Sequence, residues 1–330
     1  MFRKCGFAAL CLSLLLFVFA GCSKHPPGAW INDGIDEDVR ENFHEMNKEL
    51  FEGLKANKPK SIEKLMSKTM LDDVNRIRVI ELCSLRIHKG TVALLDEFYM
   101  VHHFNKENTV PSSNHGINSY ALTYQPTTRE MYVAFYVIKN GYEKWLLSAV
   151  YNKLDYGWKL CELELNPYSI GGRTAPELYL LAKAQHAKGY LIDAVCTMNM
   201  FRSYSTPNAM WAYKNQKVMD EFYSKVTLEA EDTYSKTIVI KQVPTQPYIF
   251  RVFNQNISGG SFPMVYYMSK LSLQDTLGIH QELSLVRKNI GKVLPGIDKD
   301  KAYLFYSVFS EKSNAKKKFQ DHLKFTQVIE

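Results

Sequence analysis

Residues 129–151 read REMYVAFYVIKNGYEKWLLSAVY. A strand with one wet face alternates apolar and polar positions, and this stretch does not. A two-residue turn at Asn140-Gly141 suits type I′ geometry, whose two central positions both need positive φ. That turn pairs Tyr136 with Trp145 and Ala134 with Leu147. One face of the hairpin then carries Tyr132, Ala134, Tyr136, Ile138, Trp145, Leu147 and Ala149. The other carries Met131, Val133, Phe135, Val137, Leu146 and Val150, broken by Lys144 and Ser148. Both faces require cover.

Apolar positions elsewhere suggest where the cover comes from. Val39, Phe43, Met46, Leu50 and Leu54 recur at three and four, which predicts a helix from Asp36 with acidic residues in its first turn. A shorter helix carries Ile62, Leu65 and Met66, and a third spans residues 72–88. Strands are expected at 97–104 and 120–125. The Asn-Gly hairpin follows, and after a turn at Asp155-Tyr156-Gly157 a last strand spans 158–165. Gly171-Gly172 closes this meander. The sequence APELYLLAKAQHAKGYLIDAVCTMNM then predicts two helices joined at Gly189, and a further helix near 210–228, with no strand between 175 and 228. Past Val243-Pro244, strands at 248–254, 264–273 and 302–309 flank a helix at 275–293.

The fold class is therefore α+β. Helices lie on a curved, cone-like antiparallel sheet (36–170), followed by a helical hairpin plus helix (171–235) and a small α+β unit (236–330). The first helices are assigned to the Tyr- and Trp-bearing face. The second face is assigned to the helices after Gly172, in preference to a second subunit, so a monomer is expected and a dimer is the alternative.

The N-terminus is of a different kind. Arg3 and Lys4 precede a continuous apolar run over 5–20, too short for a membrane span of roughly 20 residues. Phe19-Ala20-Gly21-Cys22 resembles the lipobox of bacterial lipoproteins, although Phe19 stands where that family prefers Leu. The resemblance implies a signal peptide over 1–21 and lipidation of Cys22, giving a chain anchored to the membrane through acyl groups such as palmitate. Ser23 is not the Asp that commonly retains such proteins in the inner membrane, which favours the periplasmic face of the outer membrane. Residues 22–35, with Pro26, Pro27, Gly28 and Gly34, read as a tether. Loss of Arg3 and Lys4 with the leader takes the formal charge from +7 to +5, as 39 basic residues remain against 34 acidic. The run Lys316-Lys317-Lys318 reads as a solvated face. Nucleic acid is not an expected partner in the envelope.

Two further resemblances rest on short motifs. Helices followed by a meander ending in LDYGWKLCELEL, with Trp158-Lys159-Leu160 after the turn, resemble the nuclear transport factor two-like superfamily, which includes SnoaL-like cyclases and ketosteroid isomerases. This likeness covers about residues 36–168 and implies a curved sheet wrapped on helices with a pocket at its mouth. Leu178, Leu181, Ala182, Gly189 and Ala194 fall where a tetratricopeptide repeat places its packing residues. Gln185 and Leu191 replace the usual Tyr there, and Pro207 is one place late. One copy makes a hairpin, not a solenoid. The order also resembles lipoproteins of Bacteroidetes-type bacteria that place such a domain before a helical hairpin.

Strong catalytic motifs are absent from the sequence: no nucleophile elbow, phosphate loop, dinucleotide fingerprint or His-Glu-x-x-His. His44-Glu45 lacks a second His and reads as a solvated helix face. Asp33 to Asp38 lacks calcium-loop spacing. His102 and His103 point to opposite faces of a strand and cannot share one metal. Cys83, Cys161 and Cys196 match no metal or redox spacing and read as free thiols. Tyr132, Tyr136, Trp145 and His102 are the candidate pocket-lining residues, and Asp96-Glu97 is the carboxylate pair nearest them. No metal or cofactor is expected. The function read from these features is a non-catalytic binding or scaffold module of the cell envelope, engaging a protein or peptide partner. The alternative is a small-molecule enzyme or ligand carrier using the cone pocket.

Overall fold

The computed structural model describes residues 26–103, 105–234, 237–257, 260–312 and 321–329. Cys22 and Lys316-Lys317-Lys318 lie outside them. The chain is α+β, built on a curled antiparallel sheet. That sheet orders β1 (Gly28–Ile31), β2 (Thr91–Val101), β5 (Glu130–Asn140), β6 (Glu143–Leu154), β7 (Gly157–Ile170) and β8 (Arg173–Thr174). Four helices lie on one face: α1 (Glu37–Lys55), α2 (Pro59–Glu63), α3 (Lys68–Asp72) and α4 (Arg76–His88). Their core side chains Phe43, Leu50, Leu54, Ile80 and Ile87 pack on Tyr132, Ala134, Tyr136, Ile138, Leu147 and Ala149.

The opposite face is covered from within the same chain. Val133, Phe135, Leu146 and Val150 share a core with residues of α5 (Ala175–Ala187), α6 (Leu191–Tyr204) and α7 (Gln216–Tyr234). They also share it with a small sheet of β3 (Asn108–Pro111), β4 (Tyr120–Tyr124) and β9 (Trp211–Tyr213). The sheet is thus a middle layer, which is why its central hairpin carries apolar residues on both sides.

The hairpin's register departs from expectation. Ile138 pairs with Trp145, Tyr136 with Leu147 and Ala134 with Ala149, so the two-residue turn is Gly141-Tyr142. Gly141 alone has positive φ there, the pattern of a type II′ turn with glycine first. Moving the turn by one residue shifts each cross-strand pairing by two, so every side chain keeps its face. Gly171 and Gly172, both at positive φ, make another two-residue turn, which folds β8 back on β7.

Other differences have local causes. Gly28–Ile31, expected in the tether, pairs with Phe98–Val101 as an edge strand. Helix α2 ends at Glu63, because the chain runs on to bridge Met66 to Leu160 on β7, with the Leu65 carbonyl accepting from the Leu160 N–H and the Ser67 N–H donating to the Leu160 carbonyl. Trp211–Tyr213 forms a strand where none was expected, drawn into pairing with Tyr120–Leu122. Helix α7 accordingly starts at Gln216.

The hairpin helices start and turn for reasons visible in their sequence. Thr174 and Glu177 form a reciprocal capping box with Pro176 in the first turn, and Gly189 at positive φ joins the two helices. Beyond them lies a five-stranded sheet, ordered β10 (Ile238–Val239), β11 (Tyr248–Ile257), β12 (Gly260–Ser269), β13 (Tyr303–Ser310) and β14 (Leu323–Val328). Strands β12 and β13 are parallel, joined through α8 (Thr276–Val293), which buries Ile279, Leu283, Val286 and Ile290 on one face of that sheet.

Candidate functional site

The candidate pocket residues inside the cone are core. Tyr132 is fully buried, its ring stacked on Phe43 at 3.8 Å and 2°. Phe51 meets Tyr136 edge to face at 4.7 Å, and the Arg86 guanidinium covers Trp145 at 4.2 Å. Side chains from α1 and α4 therefore occupy the space a pocket would need. The large rings that marked these positions in the sequence suit a core as well as a pocket.

The carboxylate pair is buried and committed. A bulge at Leu95 precedes Asp96 and Glu97, which face opposite sides of β2. Asp96 accepts from the Tyr120 hydroxyl (2.6 Å), Asn32 Nδ2 (2.8 Å), Asn114 Nδ2 (3.1 Å) and Ser113 Oγ. Four donors saturate a carboxylate. Glu97 accepts from the Tyr132 hydroxyl and contacts His44 Nε2 at 2.9 Å, so His44 is not simply solvated. Its backbone N–H donates to Asn32 Oδ1. Asn32, at positive φ just beyond β1, thus ties the edge strand to both acids.

His102 lines a shallow hollow with His103, Asn105 and the 126–129 loop, on the side away from α1. Its Nε2 lies 2.8 Å from the Tyr124 hydroxyl, and burial pushes its pKa down against the opposing effect of the Arg129 and Thr128 backbone. Cys83, Cys161 and Cys196 are free. Burial raises the Cys83 and Cys196 thiols to about 12, which makes them unreactive. Among the described residues, no group of three or more His, Cys, Asp or Glu could hold a metal ion, and no helix is long and apolar enough to cross a membrane.

A more enclosed concavity lies elsewhere, where three parts of the chain meet. A cleft of about 280 Å³ is bounded by α5 and α6, by Tyr142, Ile170 and Arg173 at the sheet edge, and by the β11–β12 hairpin with the 299–301 loop. Its frame is fixed by close contacts between the hairpin and the C-terminal unit. Lys301 Nζ donates to Asp193 Oδ2 at 3.0 Å and to the carbonyls of Gly296 and Lys299, both at 2.6 Å. Burial raises the Asp193 carboxyl to about 6 even with Lys301 beside it. Lys188 pairs with Asp300 at 3.3 Å. Gly296, at positive φ, lies against the Tyr190 ring with no room for a side chain.

Leu178, Leu181, Met200 and Phe262 give the cleft apolar walls, while Gln185, Thr197, Asn254 and Ser261 give it polar ones. Thr197 Oγ1 donates to Gln185 Oε1 at 2.7 Å. In the sequence Leu178, Leu181 and Gln185 read only as positions of a tetratricopeptide-like hairpin, and the other contributors lie in separate, unremarkable stretches. The chemistry on offer is recognition: apolar walls, fixed amides and hydroxyls, and charged rims. No protein-family model, curated protein or solved structure matches this chain.

Proposed function

We propose that this chain is a lipid-anchored, non-catalytic binding module of the bacterial cell envelope, and that its ligand or partner seats in the cleft between the helical hairpin and the C-terminal unit. The observation that carries the binding reading is the cleft itself: a pre-formed, mixed-polarity concavity whose walls are locked by Lys301–Asp193 and by Gly296 against Tyr190. The saturation of Asp96 by four donors argues against its serving as a general base in the cone. The anchor reading rests on the lipobox-like Phe19-Ala20-Gly21-Cys22. Ser23 after that cysteine, in place of Asp, favours the periplasmic face of the outer membrane. Five residues, 23–27, separate Cys22 from β1, so the sheet edge lies within roughly 20 Å of the lipid when these are extended.

One pair of measurements tests both halves. Cys22→Ala should abolish acyl labelling and release the protein from the membrane fraction. Leu181→Trp, which fills the cleft, should remove crosslinks formed by the native protein in intact cells while leaving the thermal midpoint within about 3 °C of wild type. Crosslinks that survive Leu181→Trp unchanged would reject the cleft as the binding site.

A further inference from the structure

We propose that the cleft recognises a small hydroxylated anion, a compact carboxylate or phosphate carrying neighbouring O–H groups, as in a sugar acid or sugar phosphate. This rests on the cleft being the binding site. Four basic and two acidic side chains line it. Asp193 is held by Lys301 and Asp300 by Lys188. Arg173 and Lys299 remain, and among the described residues neither side chain makes an ion pair or hydrogen bond. Two uncompensated cations around one concavity select an anion, and the guanidinium of Arg173 offers the forked geometry that suits carboxylate and phosphate alike.

The neutral groups narrow the class further. Asn254 and Ser261 line the cleft, and Asn254 Oδ1 and Ser261 Oγ are buried without a hydrogen-bond partner. A buried polar atom left unpaired costs about 1–3 kcal/mol, which a ligand recovers by pairing with it. Asn254 Oδ1 is an acceptor, so the ligand must bring an O–H or N–H. Gln185 uses its Oε1 on Thr197, which leaves its Nε2 free to donate to a ligand oxygen. Tyr142, Tyr190 and Phe262 supply ring surfaces for the apolar face of such a ligand. At about 280 Å³ the cleft sits at the small end of ligand pockets, which fits a single small molecule better than a folded segment.

Calorimetric titration of the full-length protein with glucuronate, glucose 6-phosphate and glucose tests this. At least one anion should bind ten-fold or more tightly than glucose, and the preferred anion identifies the group recognised. Arg173→Gln and Lys299→Gln should each weaken that anion about five-fold. Both side chains are exposed, so the thermal midpoint should not move. Ser261→Ala should weaken it without changing the preference for anion over glucose. Glucose binding as tightly as both anions, or an anion preference that survives the Arg173→Gln/Lys299→Gln double variant, overturns the proposal. So does failure of all three to bind. In that case, loss of cellular crosslinks in Leu181→Trp would still uphold the cleft as a binding site, and survival of the crosslinks would reject both readings.

Discussion

Trp211 lies flat on Tyr120, their ring centroids 3.3 Å apart and their planes 11° from parallel. Tyr120 in turn donates its hydroxyl to the buried Asp96, and Trp211 also touches Phe135 on the central hairpin at 5.4 Å. This stack is where the chain that leaves the helical hairpin returns to close the second face of the large sheet. Trp211→Ala should remove the largest side chain from that seam and lower stability by about 3–5 kcal/mol. Trp211→Phe should lose less, because it keeps an aromatic ring on Tyr120. Urea unfolding of both variants checks the order, and an Ala variant as stable as wild type would mean that the seam carries no weight.

The two helices of the hairpin meet through small residues. Ala182 on α5 and Ala194 on α6 are both fully buried in the core that covers the sheet's second face. A phenylalanine at position 194 has no space to enter without moving one helix. Ala194→Phe should therefore cost about 1–3 kcal/mol. A thermal midpoint left unmoved by the change would show that the helices are not packed as closely as these burials indicate.

Much of this architecture is legible in the sequence, and what is not legible has physical reasons. The two apolar faces of residues 131–150 announce a middle-layer hairpin. Their face assignment survives the misplaced turn because moving Asn140-Gly141 to Gly141-Tyr142 changes the pairing by an even step. Asn140 was the misleading signal, since the pair Asn-Gly favours both central positions while the structure uses only Gly141 at positive φ. Gly28–Ile31 and Trp211–Tyr213 are too short to show periodicity, and they are strands only because Phe98–Val101 and Tyr120–Leu122 offer them partners. The cleft is the least legible feature. Arg173, Asn254 and Lys299 are far apart in the chain, and their elements are brought together by the pairing of Lys301 with Asp193 and by the docking of Gly296 on Tyr190.

That docking point is testable at a single atom. Gly296 has φ +87°, and a methyl group there would overlap the Tyr190 ring. Gly296→Ala combines a left-handed backbone with a steric clash, so it should destabilise the junction by about 1–3 kcal/mol. Faster limited proteolysis near residues 296–301 is the expected signature. Gly34→Ala is the control, because an added methyl there meets nothing within 4 Å and its φ is not in the left-handed range. Its effect should stay within about 0.5 kcal/mol. Equal proteolysis of the two variants would remove the case for a tight junction.

A carboxylate pair on β7 predicts the protein's response to pH. Glu162 and Glu164 lie two residues apart on the face that Asn208 approaches, and Glu164 accepts from Asn208 Nδ2 at 2.8 Å. Burial, with the Glu164 charge beside it, raises the Glu162 carboxyl from its ordinary 4.5 to about 7. Between those values the folded chain holds a proton that the unfolded chain has released. The stability this group contributes is therefore full below about pH 4.5 and is lost as pH rises through 7. Glu162→Gln keeps a neutral donor toward Glu164 and removes the titration. It should match wild type at pH 4 and exceed it at pH 8. The gain should be about 1 kcal/mol, well short of the full shift at 1.36 kcal/mol per pKa unit, because the group is partly open to water. Asp193, also raised by burial, titrates in both proteins and cancels in the difference. Urea midpoints at pH 4, 6 and 8 decide it: a wild-type-to-variant gap that does not widen from pH 4 to pH 8 would show that the Glu162 carboxyl is not raised above its ordinary range in the folded protein.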